Sequence, residues 1–232
     1  EYGQSATAAF KKLLKEKQPD VEFVAEQAPP LGKIDAGAVA QALADDGFHV
    51  ANLEYARAGM PGGGWPGTGT SVLGQLGAVH ADSHLPERVV AVGHSAGGHL
   101  VLWVASDGRA PWLTGVVALA PAADLGEVDR LGLSDHAARN LLGCAPDDDP
   151  ATWDDADPAR QRLTTPAVIV TGERDSDVPA SVIDSYLASR DPAEPLHRAV
   201  AHGADHFDVI DPQAPAYLLV LAEIEELTLT TH

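Results

Sequence analysis

At Gly93-His94-Ser95-Ala96-Gly97 the chain carries a G-x-S-x-G set between an apolar run, Val89-Val90-Ala91-Val92, and a segment of helical spacing. In that context a serine stands on a tight strand-to-helix turn with its hydroxyl exposed. Gly93 and Gly97 are expected to lack side chains because backbones approach closely there. A serine hydroxyl is a poor nucleophile at neutral pH, so it needs a base within hydrogen-bond reach and an acid that orients the base. Both follow in the order acid, then histidine. Gly172-Glu173-Arg174-Asp175-Ser176-Asp177-Val178-Pro179 follows one apolar run, and Ala201-His202-Gly203-Ala204-Asp205-His206-Phe207-Asp208 follows another. On residue type alone Asp175 and Asp177 both qualify as the acid, and His202 and His206 as the base. The plain alternative is a Gly/Ser turn without chemistry and histidines that only cap or pack.

These side chains meet only if the elements beneath them line up. β-branched runs at 89–92, 116–120 and 167–171, with less pure ones at 49–53 and 196–200, predict strands. Between them, helical spacing covers 34–45, 71–80, 99–105, 182–189 and 214–227. Such alternation predicts an α/β fold with a mainly parallel sheet covered by helices on both faces. The loops that follow its strands should then converge at one edge. Residues 122–165 break the rhythm, with Asp147, Asp148, Asp149, Asp154, Asp155 and Asp157 and only a short helical stretch at 137–142. That interval reads either as a solvated acidic excursion or as a lid over a ligand site.

Composition narrows the function classes. With 232 residues, 45% of them hydrophobic, one domain over 1–232 is expected. The single cysteine, Cys144, excludes a disulfide scaffold. A formal charge of −19 repels phosphate backbones and anionic headgroups, so neither nucleic acid nor membrane is an expected partner. No stretch is long and apolar enough for a membrane span, and no signal-peptide core stands near Lys11, Lys12, Lys15 and Lys17, so a cytoplasmic location is expected.

Three weaker patterns are set aside. Gly62-Gly63-Gly64-Trp65-Pro66-Gly67 formally satisfies G-x-G-x-x-G, but Pro66 and Thr68-Gly69-Thr70 are expected to keep a helix from opening there, so no dinucleotide is expected. The pairs His80/His84 and His202/His206 have metal-like spacing, yet Gly203 interrupts the second and the first ends a helix before Pro86. No metal and no cofactor are expected. Trp65 suits a core plug or a pocket wall equally well.

The pieces Glu54-Tyr55, Gly62-Gly63-Gly64-Trp65-Pro66, Gly93-His94-Ser95-Ala96-Gly97-Gly98-His99, Gly172-x-x-Asp175-x-x-Val178-Pro179 and Asp205-His206-Phe207 stand in an order that resembles an α/β-hydrolase of the esterase/lipase type. Within that superfamily the chain looks most similar to kynurenine formamidase-like hydrolases. The resemblance implies Ser95 as nucleophile, Asp175 as orienting acid, His206 as base and the Ala96 amide in the oxyanion hole. It implies substrate contacts at Gly64, Trp65 and His94, and a small ester or activated amide as substrate. Oligomeric state is left open.

One element departs from the pattern. A buried strand and an His-Gly-Gly type loop should precede residue 34 and supply a second oxyanion donor. What stands there is Val21-Glu22-Phe23-Val24-Ala25-Glu26-Gln27-Ala28-Pro29-Pro30-Leu31-Gly32-Lys33, without that motif and without a continuous apolar strand. Losing a donor and an interior strand would be costly, so the expectation is an omission, with a break between about Ala25 and Ile34. If the element is truly lost, the alternative is a non-catalytic binding protein on the same fold.

Overall fold

Runs of valine and isoleucine bounded by glycine and proline favour extended backbone, because β-branched side chains lose rotamer freedom in helices. The computed structural model, which describes residues 22–26 and 36–229, turns those runs into strands. Its elements are β1 (Glu22–Glu26), α1 (Ala36–Asp45), β2 (His49–Leu53), α2 (Gly67–His80), β3 (Val89–His94), α3 (Ala96–Val104) and β4 (Gly115–Leu119). They continue with α4 (Leu125–Arg130), α5 (Leu133–Leu142), α6 (Pro150–Ala156), β5 (Ala167–Gly172), α7 (Ala180–Ala188), β6 (Leu196–Ala201) and α8 (Ala216–Leu229).

The strands pair in parallel in the order β2-β1-β3-β4-β5-β6. Ala91, Val116, Ala118, Ala167 and Ile169 face one core with Leu76, Leu100, Ile183 and Tyr186 of α2, α3 and α7. Val90, Val92, Val117, Leu119, Val168 and Val170 face the other, with Leu43 of α1 and Val220 and Ile224 of α8. This is the α/β-hydrolase architecture, helices on both faces of a parallel sheet. The chain winds from β1 outward to β2 and then returns to β3 on the other side, so the β1/β3 boundary is a switch point of the kind that opens a crevice at the carboxyl edge.

Two expectations are corrected. The sheet does not lack an interior strand: β1 pairs with β2 on one side and β3 on the other, with Glu26 level with Gly93. Phe23, Val24 and Ala25 between two glutamates are too short a run to stand out, yet neighbours on both sides supply the ladder. The expected break and the missing loop fall on residues 27–35, outside the described residues. Secondly, a helix does open after the glycine-rich loop, since α2 starts at Gly67. A proline just before a helix costs nothing, because the first-turn amides have no intrahelical partner anyway. What separates the loop from a dinucleotide fingerprint is instead that it does not directly follow a strand, β2 having ended at Leu53.

The interval 122–165 is more ordered than its sequence suggests. Asp124 caps α4 by accepting from the Glu127 amide, and Asp149 caps α6 at Thr152 with Pro150 in the first turn. Within α5, Ser134, Asp135 and His136 have φ of 50 to 56°, so the right-handed turns occupy 137–142. Leu125, Val128, Leu142, Trp153 and Ala156 form a third cluster with Val178 and Val182.

His99 of α3 ties this segment to the sheet by donating from Nε2 to the Ala156 carbonyl at 2.8 Å. Burial lowers its pKa from the ordinary value to about 4. A histidine depressed in this way adds stability above its unfolded value and loses it as pH falls from about 6.5 towards 4. Asp157, raised to about 6 by burial and by Asp124, works in the opposite direction over an overlapping range. The His99→Gln variant keeps an N–H donor and removes the titration, so its loss of stability between pH 7 and 4.5 should be about 2 kcal/mol smaller than that of the parent. Urea unfolding of both proteins at the two pH values measures the difference, and equal losses would refute it.

Candidate active site

Ser95 follows β3 directly, at the switch point. Its backbone has φ 56° and ψ −112°, a strained geometry that lifts the side chain off the strand before α3 begins. A Cβ on Gly93 would lie 2.2 Å from the Gly97 carbonyl oxygen, which is why that position needs glycine. The turn is pinned from the neighbouring strand: Ser95 N–H donates to Leu119 O at 2.9 Å, and Ala122 N–H donates to Ser95 O at 3.2 Å. The 122–165 segment therefore leaves β4 against the serine. Ser95 is half-buried and Ala96 exposed, with its amide in the first turn of α3.

Asp175 and His206 come from the turns after β5 and β6. Asp175 Oδ1 accepts from the amides of Asp177 at 2.9 Å and Val178 at 2.8 Å, a local turn that fixes the carboxylate. Its Oδ2 accepts from His206 Nδ1 at 2.8 Å, and both side chains are only 5% exposed. A carboxylate can only accept, so the proton sits on Nδ1 and leaves Nε2 as the basic nitrogen. The approach of the two loops depends on Gly172, where a Cβ would lie 2.5 Å from Asp205 O. Asp177 and His202 remain exposed, His202 facing Glu173 at 3.6 Å. The geometry thus separates the two pairs of rivals that residue type left open. No hydrogen bond joins Ser95 Oγ to His206 among the described residues, and in unliganded sites that bond is often long until substrate arrives.

His94 stands at the end of β3, beside the loop that carries His206. Its Nε2 donates to the His206 carbonyl at 2.9 Å and its ring lies 4.5 Å from the His206 ring. It acts as a strut between the end of β3 and the histidine loop. Burial, and then the neighbouring His206, lower its pKa to about 4, so no second positive charge opposes an imidazolium at His206. The Trp65 ring meets Trp103 edge-on at 4.8 Å, and its Nε1 donates to Asp155 Oδ2 at 2.8 Å. Gly64, with φ 85°, lies against the Leu141 carbonyl of α5. Trp65 and Gly64 thus join the glycine-rich loop to the 122–165 segment. His80 stacks on Trp112, and among the described residues no three His, Cys, Asp or Glu side chains converge as a metal site. Among the same residues no helix is long and apolar enough to cross a membrane.

A model of the prolyl oligopeptidase family matches residues 78–211, which include Ser95, Asp175 and His206. No curated protein sequence matches the chain. Among solved structures it is similar to esterase B from Lactobacillus Rhamnosis, with TM-score 0.69, 18% identity, and 92% of this chain and 78% of that one covered. A thermophilic esterase from the Planctomycetes species Thermogutta terrifontis gives TM-score 0.67 at 18% identity, covering 91% of this chain and 82% of that one. A putative thioesterase from silicibacter sp. gives 0.64 at 20%, covering 89% and 78%. At these identities the likeness establishes the fold.

Proposed function

The chain belongs to the prolyl oligopeptidase family, and from that membership we propose that it is a serine hydrolase that cleaves small carboxylic esters through an acyl-enzyme on Ser95. The observation that carries the reading is the buried 2.8 Å bond from His206 to Asp175 at the edge where Ser95 stands. Ser95 Oγ attacks the acyl carbon while His206 Nε2 takes its proton, and Asp175 holds the tautomer and stabilises the imidazolium. The Ala96 amide donates to the oxyanion. His206 returns the proton to the leaving alkoxide, and water repeats the cycle to free the acid. The whole chain works as one domain, with 122–165 as a cap that starts beside the nucleophile. Relatives of the same fold that are described as esterases support an ester over a peptide substrate.

A panel of p-nitrophenyl acetate and butyrate, an aryl formamide and a prolyl peptide tests the substrate class. Turnover of the short esters is expected to exceed that of the peptide by at least about 100-fold in kcat/KM, a difference of about 3 kcal/mol. A better aryl formamide than ester would move the assignment to a formamidase. No turnover on any of them would favour a binding protein on the same fold.

A further inference from the structure

In a cavity that Asp175 lines and His206 does not, two buried polar groups lack a protein partner among the described residues. Thr171 is the penultimate residue of β5 and is 6% exposed, and its Oγ1 makes no hydrogen bond among the described residues. Arg198 of β6 bonds Asp184 through Nη1 at 3.1 Å, but its Nε is buried without a partner. The ladder explains why they are neighbours. Ile169 pairs with Arg198 and Thr171 with Val200, so Thr171 and Arg198 are diagonal positions on one face of the sheet. Both line a cavity of about 30 Å³ whose wall also includes Asp175, Ala120, Val178 and Ile183. That volume accommodates a water, and a buried water needs two to four polar partners.

The lone-pair count of Asp175 leaves a place for it. A carboxylate offers about four acceptor sites. Two on Oδ1 are taken by the Asp177 and Val178 amides and one on Oδ2 by His206. We propose that Thr171 and Arg198 hold one water in this cavity against the remaining site of Asp175, and that through it they position the acid for His206. Thr171 Oγ1 and Arg198 Nε donate to the water oxygen, and the water donates to Oδ2. The carboxylate is then fixed on both sides, and the guanidinium charge faces it through one hydrogen-bonded bridge. Thr171 and Arg198 are positioning residues. The proposal rests on the hydrolase reading for its effect on turnover, though not for the water itself.

Two measurements keep those levels apart. A high-resolution crystal structure of the unmodified protein should show a water within 3.2 Å of Thr171 Oγ1, Arg198 Nε and Asp175 Oδ2, whatever the substrate. In solution Thr171→Val, a change of similar shape, should lower kcat for the best substrate by about tenfold with KM unchanged, because a hydrogen bond to a charged network is lost. Thr171→Ser should restore kcat to within about twofold. The His206 Nδ1 proton, followed by NMR at low temperature, should exchange with solvent faster in Thr171→Val than in Thr171→Ser, a change that simple repacking would not order in this way. A dry cavity, or Thr171→Val with unaltered kcat and proton exchange, overturns the proposal. A water with the ordered exchange rates but no turnover in any variant would instead remove the hydrolase reading and leave the bridge standing.

Discussion

Ser95→Ala and His206→Ala are each expected to lower ester turnover on the order of 10⁶-fold, and the double variant scarcely further, because nucleophile and base act as one unit. The fold should survive both changes. Ser95 is half-buried, and its main-chain bonds to Leu119 and Ala122 do not involve the hydroxyl. His206 contributes one side-chain bond to Asp175, while its carbonyl still accepts from His94 after substitution. A residual rate above water is expected from the Ala96 amide and from substrate binding. Steady-state rates on a short p-nitrophenyl ester, together with melting temperatures close to the parent's, check this. A variant that retains even a tenth of the parental kcat would remove its residue from the mechanism.

Asp175→Asn should cost on the order of 10⁴ in kcat, whereas Asp177→Asn should leave it within about threefold. An asparagine at 175 can turn its amide towards Nδ1 of His206, which makes that nitrogen the acceptor and puts the proton on Nε2, the wrong tautomer for a base. Asp177 is exposed, and its link to the site is its backbone amide, which asparagine retains. The reverse ranking would make Asp177 the acid and contradict the 2.8 Å bond as the working contact.

Much of the scaffold was legible because buried parallel strands carry dense valine and alanine. The runs at 89–92, 116–120 and 167–171 all became strands with a core on each face. β1 was not legible, because only three apolar residues separate Glu22 from Glu26 and its ladder comes from distant partners. The helices α4 and α6 were missed although Asp124-x-x-Glu127 and Asp149-Pro150 are start signals, since the surrounding aspartates mask a cap among many acids. The site followed the same division. Motif order pointed to Ser95, Asp175 and His206. Which carboxylate accepts from Nδ1, and what His94 does at the end of β3, depend on loop conformation. The diagonal pairing of Thr171 with Arg198 depends on β5–β6 register, which no local pattern specifies.

The central claim is that Ser95 is a nucleophile activated by His206, and covalent trapping reads this without knowledge of the substrate. A fluorophosphonate loses fluoride when a serine oxygen attacks its phosphorus, leaving a stable adduct whose mass and position can be read on the intact protein and its peptides. The account predicts one adduct per chain, on Ser95, formed at least about 100-fold more slowly in His206→Ala because the general base is absent. Labelling spread over other serines, or labelling of Ser95 at the same rate without His206, would contradict it.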